Sequence, residues 1–132
     1  MVGYKEWRDF FMSILYNLTT ELIADIDEAF HIYKTQTKIR EDEADFYKEV
    51  KPFADRIHFR VKEWEPLARE WVIADKPKYL YPIQIKTAAE NIGYLGVYVF
   101  QKKMKEKRIT EMVKSVLYVL NQMKDQLSED LN

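Results

Sequence analysis

Four stretches of this chain repeat apolar residues at steps of three and four, and almost nothing lies between them from which turns could be built. Only 3 Gly and 4 Pro occur in 132 residues. At 100° per residue, such steps draw one stripe along a helix. Sheet folds need a turn between every pair of short strands. Few turns mean few and long elements, so the spacing predicts an all-α fold.

The first stripe is Trp7, Phe11, Ile14, Leu18, Leu22, Ile26, Ala29 and Tyr33, widened by Phe10, Leu15 and Phe30. The second runs Phe46, Val50, Phe53, Ile57, Val61, Trp64, Ala68 and Trp71. It keeps its phase through Pro52 and Pro66, which predicts one long arm kinked or broken at a proline. The third is Ile85, Ala88, Ile92, Leu95 and Val99, with Pro82 at a first helical position. Gly93 and Gly96 beside Ala89 predict a close approach to a bulky neighbour, the tryptophans being candidates. The fourth is a heptad seam, Ile109, Val113, Val116, Leu120, Met123 and Leu127, widened by Met112 and Leu117.

Helices are therefore expected over about 5–34, 43–75, 82–104 and 108–127, with Ser128 to Asn132 frayed. Short connections make successive helices antiparallel neighbours, so the expected architecture is an up-down-up-down four-helix bundle forming one domain. Trp7, Trp71, Ile85 and Leu127 then fall near one end, and the first and third connections meet at the other.

From Lys76 to Leu127 a set of short features recurs. They are Pro77-Lys78-Tyr79 with Gln84, then Lys107-Arg108, Ser115-Val116-Leu117-Tyr118 with Leu120, and Lys124-Asp125. Lys51-Pro52 and Trp71 agree more loosely. In these the chain resembles the YppE-like family of small proteins from low-GC Gram-positive bacteria. The resemblance implies an all-α bundle. That family is a domain of unknown function, so it implies no activity, cofactor or catalytic residue.

Composition excludes several chemistries. Without cysteine there is no disulfide, thiol nucleophile or thiolate metal site, and a reducing cytoplasm is the expected location. A formal net charge of −1 supplies no general attraction to nucleic acid or anionic lipid. Phe10 to Leu18 is interrupted by Ser13 and Asn17 and followed by Glu21, Asp25, Asp27 and Glu28, so it is not read as a signal segment. No apolar run approaches the ~20 residues of a membrane span.

The most suggestive motif is a carboxylate three residues before a histidine, present as Glu28 to His31 and Asp55 to His58. Di-iron bundles use two such motifs plus further glutamates, for which Glu90 and Glu111 are available. Helical phase argues against that use. His31 and Glu28 fall off the core stripe, His58 falls at the border of its own, and the two histidines lie roughly 15 Å apart along the bundle. No metal or other cofactor is expected. Two histidines also fall short of the three-histidine site of DinB-like bundles. Ser13, Ser115 and Ser128 lack a glycine elbow, and three glycines cannot furnish a phosphate loop, so no catalytic residue is nominated.

Two surface features remain. Lys102, Lys103, Lys105, Lys107 and Arg108 crowd the third connection, and the topology brings Lys34, Lys38 and Arg40 of the first connection to them. Such a cluster could hold an anion or an acidic partner. Cations are equally what helix C-termini favour, and Glu41, Asp42, Glu43 and Asp45 lie close enough to neutralise them. No aromatic residues interleave with the cations, so nucleic acid is a poor fit. Tyr94, Tyr98 and Tyr118 flank the third and fourth stripes, either as core borders or as interaction aromatics. The favoured reading is a non-enzymatic helical module that binds a protein partner or itself. The alternative is a metal- or ligand-binding enzyme with a site in the bundle interior.

Overall fold

The computed structural model of the protein describes residues 3–131. Four long helices form, α1 (Tyr4–Ile32), α2 (Lys51–Asp75), α3 (Pro82–Tyr98) and α4 (Glu106–Leu131). α1 packs on α4 and α2, and α3 packs on α2 and α4, as an antiparallel up-down-up-down bundle requires. Ion pairs fix the directions. Arg8 at the start of α1 meets Asp75 at the end of α2, and Asp25 in the later half of α1 meets Arg60 in the earlier half of α2.

α1 does not stop at Ile32 but loosens into a π turn, Tyr33–Thr37, in which the Lys38 N–H reaches back to the Tyr33 carbonyl. A second π turn, Phe46–Val50, leads into α2, with the Asp45 carboxylate accepting from the Lys48 N–H. α2 continues as one helix through Pro66. A proline there deprives the preceding turn of a hydrogen bond. Val61, Trp64, Ala68 and Trp71 stay buried on one face across it, and that shared face carries the helix past the missing bond. Pro52 sits in the first turn, where a missing N–H costs least. α2 ends on Lys76 in the left-handed conformation. At the head of α3 the Gln84 side chain accepts from the Tyr81 N–H at 2.7 Å. α3 ends at Tyr98, short of 104, and α4 continues past Ser128 to Leu131.

The second, third and fourth stripes from Val50 onward face the core as the spacing predicts, but the first half of α1 is turned. The buried residues of α1 as a whole are Met12, Leu15, Thr19, Leu22, Asp25, Ile26 and Ala29. Trp7 is 61% exposed, Ile14 is exposed, and Phe11 and Leu18 are only partly buried. Phe46 is exposed as well. The physical reason lies in two buried polar residues on the true core face. Thr19 donates to the Leu15 carbonyl and accepts from Trp64 Nε1 at 3.1 Å, which satisfies the most deeply buried indole. Asp25 is 3% exposed and receives Arg60 Nη1 at 2.6 Å on both oxygens, with Arg56 at 3.4 Å. A buried carboxylate is tolerated only when paired in this way.

Candidate functional site

The end where the first and third connections meet carries the predicted cations. Two hydroxyls tie it together. Tyr33 Oη donates to the Met104 carbonyl at 2.6 Å, and Thr37 Oγ1 donates to the Val99 carbonyl at 2.5 Å. Both come from the π turn after α1, so that turn aims them across to the α3–α4 connection. Half of the cations around this clamp have partners within the protein. Lys38 pairs with Glu106 at 2.8 Å, and Arg40 pairs with Glu49 at 2.8 Å and Asp42 at 3.2 Å. Lys102 donates to the Glu41 carbonyl, and the Lys34 ammonium lies 4.9 Å from the centre of the Phe30 ring. The Arg40 guanidinium holds the Glu49 and Asp42 carboxyls below their ordinary range, and Lys38 does the same to Glu106. Lys103, Lys105 and Arg108 line a small depression beside Tyr98 and Met104, and Lys107 is exposed beside them. The eight cations therefore share one end but divide equally into four with partners in the protein and four that are solvated.

The tyrosines do not form one patch. Tyr94 and Tyr98 stack, with ring centres 5.5 Å apart and planes 8° from parallel. Tyr94 edges the groove between α2 and α3, whereas Tyr118 lies in the groove between α3 and α4. Tyr94 and Tyr118 are each 51% exposed.

His31 and His58 are both exposed, so they share no interior pocket. His58 lines the lip of the α2–α3 groove with Glu65 and Glu90. Among the described residues no group of three or more His, Asp or Glu side chains is placed to hold a metal ion. Among them, too, no helix is long and apolar enough to cross a membrane.

Two features stand outside the sequence reading. Along the first half of α1, Tyr4, Trp7, Phe10 and Ile14 form an exposed apolar row, Tyr4 and Trp7 beside the groove between α1 and α2, with the Trp7 and Phe10 rings edge to face at 6.3 Å. The sequence did carry a signal for it, because Phe10 and Met12 are about 160° apart on a helix and one core face cannot take both. At the same end, α2, α4 and the connection after α2 enclose a cleft walled in part by Trp71 and Asp125. Nothing in the spacing of residues this distant predicts that meeting.

The fold defines an all-helical four-helix bundle. The chain matches the family described as "Bacterial domain of unknown function (DUF1798)" across residues 19–127, and it belongs to that family. A relative from Bacillus subtilis (strain 168), "Uncharacterized protein YppE", is 27% identical over 86 residues, covering 65% of this chain and 70% of the relative. Solved structures agree in fold. A Listeria innocua protein of unknown function superposes with a TM-score of 0.86 at 26% identity, covering 92% of this chain and 97% of that one. The crystal structure of B. subtilis YppE gives 0.82 at 24% identity, over 89% and 95% of the two chains. A Staphylococcus aureus member of the same family gives 0.79 at 26% identity, over 87% and 96%.

Proposed function

We propose that the protein is a non-enzymatic helical module that pairs with a second copy of itself through the exposed flank of the first half of α1. The observation that carries this reading is the row Tyr4, Trp7, Phe10 and Ile14. It stands in solvent along the flank of α1, beside the face that supplies the core, and Tyr4 and Trp7 border the groove between α1 and α2. Three aromatic rings and an isoleucine, each exposed in good part, leave roughly 400 Å² of apolar surface. An interface of standard size covers about 800 Å² per partner with an apolar centre of about this extent. The row is about 15 Å long, three turns of helix, which suits an antiparallel helix-to-helix contact.

The occupant follows from charge. Lys5, Glu6, Arg8 and Asp9 border the row and sum to zero, so the face does not repel its own copy. It also offers no net charge to steer an oppositely charged stranger. A two-fold pair needs only one such patch. Sedimentation equilibrium of the purified protein tests the proposal. A dimer is expected, and Trp7→Glu with Phe10→Glu is expected to give a monomer of unchanged helicity, since both side chains are exposed. A wild-type protein that stays monomeric at several hundred micromolar ends this reading.

A further inference from the structure

The groove between the start of α1 and the end of α2 has a volume of ≈ 250 Å³. That is less than the roughly 300–1,000 Å³ of small-molecule sites and suits one large side chain. Trp7, Phe11, Met12 and Ala74 are among the residues that line it. Of the charged residues along it, Arg8 and Asp75 are tied to each other.

The aromatic row on α1 by itself makes half an interface. Its roughly 400 Å² compares with the ~800 Å² per partner that a stable pair covers. The groove adjoins the row, and Tyr4 and Trp7 belong to both. A contact centred on the row therefore reaches full size by spreading over the groove to α2.

Two-fold symmetry also sets what meets the groove. The row spans Tyr4 to Ile14, so the centre of an antiparallel contact falls at position 9. Residues equally far on either side of that centre face each other, and Trp7 of one copy stands against Phe11 of the other. The height of α2 is known as well. Arg8 meets Asp75 and Thr19 meets Trp64, so the two helices run past each other residue for residue. That register brings Ala74 to within half a turn of the height of Phe11.

We infer that the groove of each copy receives the Trp7 indole of the other, between Phe11 and Ala74. The inference rests on the self-association reading and adds α2 and a reciprocal contact to it. Trp7 is 61% exposed, so most of its ring is free to be covered by a second copy. Tryptophan is also among the side chains that most often anchor an interface by filling a pocket.

Ala74→Lys tests the groove, because Ala74 is exposed, lies within α2 and is no part of the row. Ile73→Lys is the control, placing the same charge on an exposed neighbour that does not line the groove. Sedimentation equilibrium of both variants, with circular dichroism to confirm unchanged helicity, gives the comparison. Ala74→Lys should weaken the dimer at least about tenfold. Ile73→Lys should change it by no more than about twofold. A mixing experiment then tests reciprocity. Trp7→Glu keeps its groove and Ala74→Lys keeps its indole, so a mixed pair retains one intact contact of the two. Equal amounts of the two variants should therefore associate more tightly than either alone. A wild-type dimer unmoved by Ala74→Lys, or variants that gain nothing on mixing, overturns this inference and leaves self-association standing. A monomeric wild-type protein ends both.

Discussion

Gly93 and Gly96 sit three apart on α3 and answer to different surroundings. A Cβ at Gly96 would lie 3.6 Å from the Ala54 Cα and 3.7 Å from Ile57 Cγ2, so α2 and α3 come together there with room for a methyl group and nothing larger. At Gly93 a Cβ would meet nothing within 4 Å. Gly93→Ala therefore removes backbone freedom from the unfolded chain without disturbing a contact. It should stabilise the protein by about 1 kcal/mol, a rise of about 3 °C in Tm by thermal melting. Gly96→Leu should lower Tm by forcing the two helices apart. Here the sequence was only half legible. A glycine pair beside an alanine announced a close approach, but the neighbour is the Ala54 backbone with Ile57, not a tryptophan, and Gly93 takes no part. The same division holds on α1. Buried Thr19 and Asp25 are polar letters on the core face, and a reader counting apolar letters passes over them to Leu18 and Ile14.

At the scale of elements, the π turn after α1 matters because it delivers Tyr33 and Thr37 to carbonyls of another connection. Burial pushes the Tyr33 phenol above its ordinary 10.0; Lys38 lowers it and Glu106 raises it by lesser amounts. A phenol whose pKa is higher in the fold than in the unfolded chain contributes its stability fully below the unfolded value. That contribution is lost as pH rises from there through the folded value. The wild-type protein should therefore weaken above pH ~10. Tyr33→Phe should lose about 1 kcal/mol at pH ~8, where the hydroxyl still donates to Met104. Its further loss between pH ~8 and ~11 should be smaller than that of the wild type. Lys38, raised chiefly by its bond to Glu106 and least by Tyr33, titrates in the same direction in both proteins, so only its small coupling to the phenol enters the difference. Urea unfolding of the two proteins at both pH values checks this, and parallel alkaline losses would show that Tyr33 does not carry the effect. Such turns are poorly legible in sequence. Tyr33 reads as the last residue of the first stripe and 35–37 as connection after a helix ending near 34, because their long-range partners lie some sixty to seventy positions away. Pro66 left the sequence open between a kink and a break in one long arm, and burial of Trp64, Ala68 and Trp71 on one face decides for a helix that runs on.

At the scale of the whole molecule, helix count, order and direction followed from stripe phase and turn scarcity, because a bundle of this length has few ways to bury four such faces. Surfaces did not follow in the same way, since what meets across the bundle depends on rotation of each helix by a fraction of a turn. The exposed row on α1 is the consequence with the widest reach. If two copies pair there, only the folded chain pairs, and association must add to stability by mass action. Each tenfold rise in protein concentration above Kd then favours the folded dimer by about 1.4 kcal/mol per dimer, or about one to three degrees in Tm. The double variant Trp7→Glu with Phe10→Glu should melt at one temperature across the same range. That temperature should match the wild-type value at the lowest concentration, because neither ring is packed in the core. Calorimetric melts over three decades of concentration separate the outcomes. A wild-type Tm that does not move with concentration would leave the aromatic row without its second copy, and a variant that melts far below dilute wild type would mean that Trp7 or Phe10 belongs to the core after all.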